Sequence, residues 1–149
     1  MVGEFNVRNA AMAVCSAKFA GLKPEEIRKG LLSFEGIARR QQERGEVNGV
    51  TVVDDFAHHP TAIGLAIDGL RQKYPSRRLW VIFEPRSNTT RRNIFQDDLA
   101  MALKKADCVV IPSIPDSKKV AVNERLDPEK LAADISKGGA RSCLSLIHI

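Results

Sequence analysis

An α/β fold, with a mostly parallel sheet flanked by helices, is predicted from the order of patterns along the chain. After Gly49 the patterns alternate as strand, helix, strand, helix, strand, loop and helix, which is typical of parallel strands joined by helical crossovers. Residues 79–83 and 108–111 are short continuous apolar runs, and the first has the character of a strand buried on both faces. Pro60 and Pro128 each stand where a helix is expected to begin.

The elements before this alternation are two helices and a hairpin. The first helix is expected to be capped by Asn6 and stopped by Gly21. The second helix starts at Pro24, since proline is favoured in a first turn. The dipeptide Asn48-Gly49 is the turn signal of a hairpin over residues 41–54.

The later helices are supported by apolar residues at helical spacing. The residues that carry this spacing are Ile63, Ile67, Leu70, Tyr74, Phe95, Leu99, Ala102 and Leu103. We therefore expect an opening helical segment over residues 1–36 and an α/β domain over residues 37–142. Residues 143–149 have no turn chemistry and end in an apolar run, so we expect a non-native tail there and exclude Cys143 and His148 from the candidate site.

Composition indicates a soluble globular protein, with 44% apolar and 28% charged residues. No apolar run approaches the roughly 18 residues of a membrane span, and no signal-peptide pattern opens the sequence. The 3 cysteines are scattered, which favours reduced thiols in the cytoplasm. The net charge of +5 fits a solvated basic surface or an anionic partner. Because only 5% of residues are aromatic, a small anion is favoured over a stacked single strand.

Two carboxylates and two imidazoles follow the first predicted sheet strand. Asp54, Asp55, His58 and His59 stand at its carboxyl end, where open α/β sheets bind ligands. These residues could be metal ligands or ordinary hydrogen-bonded loop residues, but adjacent histidines diverge and no third well-spaced ligand occurs. A nucleotide or substrate site is favoured, since a carboxylate at a strand end can accept hydrogen bonds from both ribose hydroxyls.

A second polar segment, residues 84–89, follows the next predicted strand and is therefore expected at the same edge of the sheet. Arg86 offers a planar fork that matches a carboxylate or phosphate. Ser87 and Asn88 add short hydrogen-bonding groups. The alternative is a surface turn that carries an arginine.

The opening helix and the domain boundary add weaker signals. Asn6 and Asn9 are three residues apart, so both amides can lie on one face of a helix. Arg39 and Arg40 form a basic pair at the boundary. The sequence contains no glycine-rich phosphate loop, so the chain can contribute to a nucleotide site without making one alone.

Four segments together resemble the Mur ligases, the ATP-dependent amide-forming enzymes of peptidoglycan synthesis. They are residues 3–10 (GEFNVRNA), 34–40 (FEGIARR), 54–61 (DDFAHHPT) and 84–89 (EPRSNT). The resemblance implies the end of the central ATPase domain followed by a Rossmann-like C-terminal domain. The last segment points to the activity that joins UDP-N-acetylmuramate to L-alanyl-γ-D-glutamyl-meso-diaminopimelate in peptidoglycan recycling.

The resemblance also implies residue roles. The expected ATP-binding residues are Asn6 and Asn9 near adenine, Arg40 at phosphate and Asp55 at ribose. The residues expected to bind the peptide acceptor are His58, His59, Arg86, Ser87 and Asn88. The two histidines are also the candidate catalytic residues. No metal ligand is expected in this part of the family sequence.

Similar enzymes use ATP and Mg²⁺ to phosphorylate the muramoyl carboxylate, and the peptide amine then attacks the acyl phosphate. The partners implied are UDP-N-acetylmuramate and the murein tripeptide, with no nucleic acid or membrane, in a cytoplasmic monomer. The magnesium ligands would lie in a missing region, so this chain alone is expected to be inactive. Phe5, Gln41 and Gln42 depart from the residues usual in the family.

Two other functions stay open. One is the sibling activity that adds L-alanine to UDP-N-acetylmuramate. The other, from a different class, is a non-catalytic basic α/β module that binds nucleic acid.

Overall fold

The computed structural model describes residues 2–113 and 120–145, which form two compact units. The units are Met1–Phe56 and Ala57–Ile149. The whole hairpin, which was predicted to be part of the α/β domain, thus belongs to the same unit as the opening helices. The domain boundary predicted after residue 36 stays a prediction.

The first unit opens with two helices, α1 (Glu4–Phe19) and α2 (Pro24–Leu32). The expected cap at Asn6 is wrong, because α1 begins one turn earlier with Gly3 as its N-cap. The stop at Gly21 is confirmed: its φ is 86°, a left-handed value that favours glycine. The start of α2 at Pro24 is also confirmed.

A two-stranded antiparallel hairpin completes the first unit, with β1 at Gln42–Val47 and β2 at Val50–Asp54. Its turn is the predicted Asn48-Gly49, whose φ values of 51° and 77° are those of a type I′ turn. β2 was expected to belong to the parallel sheet. Instead, β2 pairs with β1 in a separate sheet, because the tight turn returns the chain onto its neighbour in sequence.

The second unit alternates helices and strands. Its elements are α3 (Pro60–Lys73), β3 (Trp80–Ile82), α4 (Gln96–Leu103), β4 (Cys108–Pro112), α5 (Pro128–Lys137) and β5 (Arg141–Ser145). The strands form one parallel sheet in the order β3-β4-β5. This confirms the predicted α/β class with helices flanking a parallel sheet.

The core of the second unit lies between these helices and the sheet. Leu99, Leu103, Leu131 and Ile135 are 0% exposed, and Val109 of β4 is 1% exposed. Each fully buried aliphatic side chain of this kind contributes about 1.5–3 kcal/mol relative to an exposed one. The core therefore fixes the three helices on the sheet, and with them the loops at its carboxyl edge.

β3 is not buried on both faces, contrary to prediction. Trp80 is 56% exposed and Ile82 is 62% exposed, whereas Val81 between them packs against the core. β3 lies at the edge of its sheet within the described residues, and only its face that carries Val81 packs against the core.

The end of the described chain forms a strand. β5 pairs in parallel with β4 through Ser145, so residues 143–145 of the predicted non-native tail are part of the sheet. Residues 146–149, including His148, lie outside the described residues. The origin of the tail stays a prediction. Among the described residues, no helix has the length and apolar character that a membrane crossing requires.

Candidate functional site

A strained turn next to the end of β2 forms the candidate nucleotide site of the first unit. Arg39 and Gln41 have φ values of 58° and 48°, which side-chain-bearing residues adopt at a cost of about 1–3 kcal/mol. Three hydrogen bonds hold this conformation. Gln41 N donates to Asp55 Oδ2 at 2.9 Å, Arg39 N donates to Gln42 Oε1 at 3.0 Å, and Phe56 N donates to Arg39 O at 2.8 Å.

The side chain of Gln41 extends this turn to the start of α1. Gln41 Oε1 accepts hydrogen bonds from Val2 N at 3.2 Å and from Asn6 Nδ2 at 3.4 Å. Asn6 Nδ2 also donates to Val2 O at 2.7 Å. Gln41 Nε2 is buried and makes no protein hydrogen bond. One residue thus connects Asn6 to Asp55, which are 49 positions apart in the sequence.

The two arginines of the turn differ in how their charge is used. Arg39 lies 4.8 Å from the centroid of the Phe56 ring, and its Nε is 3.6 Å from Asp54 Oδ2. Arg40 is exposed and lies 6.0 Å from the same ring centroid. Cation–π contact orients both guanidinium groups. Asp54 offsets the charge of Arg39, and Arg40 presents its guanidinium at the surface.

The first unit therefore holds all four residues predicted to bind ATP. Gln41 hydrogen-bonds to both Asn6 and Asp55, and Arg40 immediately precedes Gln41 in the turn. Asn9 is exposed on α1, one turn after Asn6. A half-buried carboxylate, an exposed guanidinium and a buried amide donor suit the hydroxyls, phosphates and ring edge of a nucleotide.

In the second unit the predicted acceptor residues begin at the start of α3. His59 is the N-cap of α3, and its Nδ1 accepts a hydrogen bond from Thr61 N at 3.3 Å. Its ring meets Phe95 edge-on, with 4.9 Å between the centroids. His58 is exposed. No group of three His, Cys, Asp or Glu side chains in the described ranges could hold a metal ion, so these residues offer no ligand set for Mg²⁺.

The loop after β3 is fixed by a pair of hydroxyls. Ser87 N donates to Thr90 Oγ1 at 3.1 Å, Thr90 N donates to Ser87 Oγ at 3.0 Å, and the two hydroxyl oxygens are 2.8 Å apart. Thr90 is only 1% exposed. Asn88, within this turn, is exposed. The reciprocal bonds give the backbone around Asn88 one defined shape.

Arg86 is paired with a carboxylate and is largely exposed. Its Nε lies 3.5 Å from Glu84 Oε2, and the side chain of Arg86 is 66% exposed while that of Glu84 is 16% exposed. Such a partly desolvated carboxylate orients a guanidinium better than a surface partner does. Arg86 can therefore meet an anion with little further ordering.

Contacts between loops bring these groups to one edge of the sheet. The loop of Arg86 and Ser87 follows the carboxyl end of β3 and leads to Phe95, against which His59 packs. On the other side of the loop, Leu126 N donates to Arg91 O at 2.8 Å. In the second unit, the carboxyl edge of β3–β5 thus carries His59 together with the loop of Arg86.

Sequence reasoning assigned no role to several residues that hold these groups in place. Gln41 was noted only as a departure from the family pattern, and Thr90 was not noted at all. The serine and threonine at spacing i, i+3 (Ser87, Thr90) were a signal for the hydroxyl turn. No local signal existed for the bond between Gln41 and Asn6, because its partners are distant in sequence.

Comparison with known proteins places this geometry in a family. Residues 39–148 match the family described as Mur ligase, glutamate ligase domain. The UDP-N-acetylmuramate–L-alanyl-gamma-D-glutamyl-meso-2,6-diaminoheptandioate ligase of Escherichia coli (strain K12) is 46% identical over 112 residues, which are 74% of this chain and 24% of that protein. The UDP-N-acetylmuramate–L-alanine ligase of Bifidobacterium adolescentis is 44% identical over 112 residues, which are 75% of this chain and 21% of that protein.

A solved structure gives the same result. The crystal structure of a murein peptide ligase from Psychrobacter arcticus is 34% identical and superposes with a TM-score of 0.66 over 97% of this chain and 29% of that one. The chain spans about a quarter of the length of the curated relatives that it matches. The resemblance drawn from the four motifs is confirmed, and the chain belongs to the Mur ligase family.

Proposed function

We propose that this chain is the C-terminal part of an ATP-dependent ligase that joins UDP-N-acetylmuramate to L-alanyl-γ-D-glutamyl-meso-diaminopimelate in peptidoglycan recycling. The observation that carries the proposal is the connection of Asn6, Gln41 and Asp55 beside Arg40 in the first unit. It supports a nucleotide site made from residues that the motifs had singled out separately. The Escherichia coli relative, at 46% identity, supports the choice of acceptor.

On the nucleotide side, each residue has a distinct task. The Asp55 carboxylate, oriented by Gln41 N–H at 2.9 Å, accepts hydrogen bonds from the ribose hydroxyls. The Arg40 guanidinium binds phosphate, where its fixed fork suits bidentate contact. Asn6 and Asn9 face the adenine side. ATP binding is expected to order the surface side chains Asn9 and Arg40.

On the acceptor side, positive and polar groups bind and orient the peptide. Arg86 is steadied by Glu84 at 3.5 Å and pairs with a peptide carboxylate. Ser87 and Asn88 hydrogen-bond to the peptide backbone. His58 and His59 lie near the reacting amine, and His58 is the better candidate to accept its proton, because His59 Nδ1 already caps α3.

When bound, Mg²⁺ would supply charge neutralisation at the phosphates for ligation through an acyl phosphate. We place its ligands in parts of the ligase that this chain does not include. We therefore expect the chain alone to give no turnover. ADP release by the isolated chain that depends on both substrates would contradict this.

The second candidate is the L-alanine ligase, because the Bifidobacterium adolescentis relative is nearly as similar, at 44% identity. Residues 84–89, here called the acceptor loop, distinguish the two activities. Residues 84–89 resemble the tripeptide enzymes, and Arg86 gives the loop a cation for an acceptor with several carboxylates.

Chimeras test both the family role and the acceptor. This chain replaces the matching segment of the Escherichia coli ligase and, in a second chimera, of the Bifidobacterium adolescentis ligase. ADP formation is measured with the tripeptide and with L-alanine. We expect tripeptide-dependent ADP formation in the first chimera and a gain of tripeptide use in the second.

Two variants of the first chimera test the nucleotide site. Asp55→Ala should lower kcat/KM for ATP by about tenfold or more, the loss expected for hydrogen bonds to a charged group. Asp54→Ala removes the same charge from the neighbouring position and should lower kcat/KM for ATP less than about threefold.

Faster reaction with L-alanine in both chimeras would favour the second candidate, the L-alanine ligase. A folded first chimera without activity on either acceptor would reject both.

A further inference from the structure

The acceptor loop is followed by an arginine that has no part in the proposed ligase reaction so far. Arg91 lies two residues after the loop, between the carboxyl end of β3 and the start of α4. Arg91 is half-buried, and its Nε atom is buried and makes no hydrogen bond within the described part of the chain. Because the large majority of buried polar atoms in proteins are hydrogen-bonded, such an atom on a charged side chain needs a physical explanation.

The backbone of Arg91 is fixed on both sides of the residue. Arg91 N donates to Ser87 O at 3.1 Å, which closes one turn of chain back onto the acceptor loop. Leu126 N donates to Arg91 O at 2.8 Å, and Leu126 is only 4% exposed. Thr90, the residue before Arg91, is 1% exposed. Arg91 therefore has a defined position next to Ser87, which we have assigned to the acceptor.

The charge of Arg91 is treated differently from that of the arginines around it. Those arginines have partners, which are Glu84 for Arg86, Glu124 for Arg92 and the carbonyl oxygen of Val120 for Arg125. Among residues 2–113 and 120–145, the guanidinium of Arg91 has no such partner. A partly desolvated cation without a hydrogen-bond acceptor costs stability, and a carboxylate that binds to it relieves this cost.

The proposed tripeptide acceptor has more carboxylates than one arginine can bind. The alanine carboxylate of the tripeptide is part of an amide bond, so the free carboxylates belong to the glutamate and diaminopimelate residues. Arg86 and Arg91 lie on either side of the turn that the Ser87 and Thr90 hydroxyls fix. Each guanidinium can bind one carboxylate through two parallel N–H donors.

We propose that Arg91 binds a second carboxylate of the peptide acceptor, different from the one that Arg86 binds, an inference that rests on the proposed function. Arg91 Nε and one terminal nitrogen of the same guanidinium donate to the two oxygens of that carboxylate. L-Alanine has a single carboxylate, so it cannot engage both arginines. Arg91 is thus a residue that favours the tripeptide over L-alanine.

A set of acceptors tests this assignment in the first chimera, in which the chain replaces the matching segment of the Escherichia coli ligase. In each acceptor a different carboxylate of the tripeptide is replaced by a carboxamide, which removes the charge and keeps the shape. With the intact tripeptide, Arg91→Ala should raise KM by about tenfold or more and leave kcat nearly unchanged. With one amidated acceptor this rise should largely disappear, because the partner of Arg91 is already absent. The rise in Arg86→Ala should disappear with a different acceptor.

Two further variants separate a carboxylate contact from an effect of charge alone. Arg91→Lys keeps the charge but not the planar fork, and it should raise KM for the tripeptide by about threefold or more. Arg78→Ala removes the same charge from an exposed position before β3, at the opposite edge of the sheet, and should leave KM unchanged. Circular dichroism of each variant checks that the chimera is folded.

Three results would overturn the proposal while leaving the ligase function intact. The first is an equal rise of KM in Arg91→Ala for the tripeptide and for every amidated acceptor, since Arg91 would then only support the loop. The second is loss of the Arg86 and Arg91 effects with the same acceptor. The third is an equal rise of KM in Arg78→Ala. A folded first chimera without tripeptide-dependent ADP formation would instead reject the proposed function, and the role of Arg91 with it.

Discussion

The hydrogen bond from Gln41 N to Asp55 Oδ2 should decide whether the strained turn keeps its shape, and Asp55→Ala removes it. A hydrogen bond to a charged group is worth about 1.5–3 kcal/mol. Asp55 is half-buried, so the lower part of that range applies. The left-handed φ of 48° at Gln41 has a cost of similar size, which this bond offsets. Losing about 1.5–2 kcal/mol corresponds to about 10–30-fold easier opening of the turn.

Amide hydrogen exchange at Gln41, measured residue by residue by NMR, reads this opening directly. Residue 55 is not a sequence neighbour of residue 41, so the substitution leaves the intrinsic exchange rate of the amide unchanged. Gln41 exchange should accelerate about 10–30-fold in Asp55→Ala. Asp55→Asn keeps an acceptor oxygen and loses only the charge, so the acceleration should be about three- to tenfold.

A control variant and a control amide distinguish local opening of the turn from a general loss of stability. Asp54→Ala removes the adjacent carboxylate, whose partner is the Arg39 side chain at 3.6 Å, and should change Gln41 exchange by about threefold at most. The Leu22 amide, which donates to Ala17 O at the end of α1, should be unaffected in all variants. Unchanged Gln41 exchange in Asp55→Ala, or equal acceleration by Asp54→Ala, would refute the reasoning.

Three further outcomes concern stability, measured by urea unfolding. Leu131→Ala, at a 0% exposed core position, should lower the free energy of unfolding by about 2–5 kcal/mol, whereas Leu32→Ala, at a 77% exposed position, should change it by less than about 0.5 kcal/mol. His59→Ala removes the side-chain cap of α3 and should cost about 1 kcal/mol, and His59→Asn, which can still cap, should cost less. The pKa of Asp107 is lowered by a backbone N–H and a guanidinium that hydrogen-bond to it, so its stabilisation is complete above its ordinary pKa of 3.8 and is lost as pH falls through the lowered value. The urea midpoint should therefore fall more between about pH 6 and about pH 3 in the unmodified chain than in Asp107→Asn.

Elements specified by local chemistry could be predicted from the sequence. The Asn48-Gly49 turn was predictable because few dipeptides adopt two successive left-handed conformations. Pro60 and Pro128 marked helix starts because proline cannot donate a backbone hydrogen bond and is tolerated only there in a helix. These signals need no knowledge of what the element packs against.

Properties set by tertiary neighbours could not be predicted in the same way. The apolar run that forms β3 looks the same whether one face or both are covered, and Ile82 is 62% exposed because, among the described residues, only the opposite face of the strand packs against the core. Asn6 has the composition of a cap, but its amide bonds to Val2 O and to Gln41 instead. Those partners depend on how distant segments meet.

The same distinction between local contacts and contacts of distant residues applies to the candidate site residues. The cap made by His59 and the turn between Ser87 and Thr90 involve residues at most three positions apart, so sequence could have specified both. The role of Gln41 could not be predicted, since it depends on Asn6 and Asp55, 35 and 14 positions away. A residue noted only as a departure from the family pattern thus connects the two ends of the predicted nucleotide set.

The parallel topology of the second unit gives its two sheet edges different chemistry. A helix that connects parallel strands runs opposite to them, so α4, between β3 and β4, begins at the carboxyl edge, where its N-terminal N–H groups favour negative charge. The His59–Phe95 contact brings the start of α3 to that of α4, beside the loop that carries Arg86. The proposed tripeptide acceptor carries more carboxylates than L-alanine does. A field of this sign therefore favours the tripeptide by charge, in addition to any contact with a particular side chain.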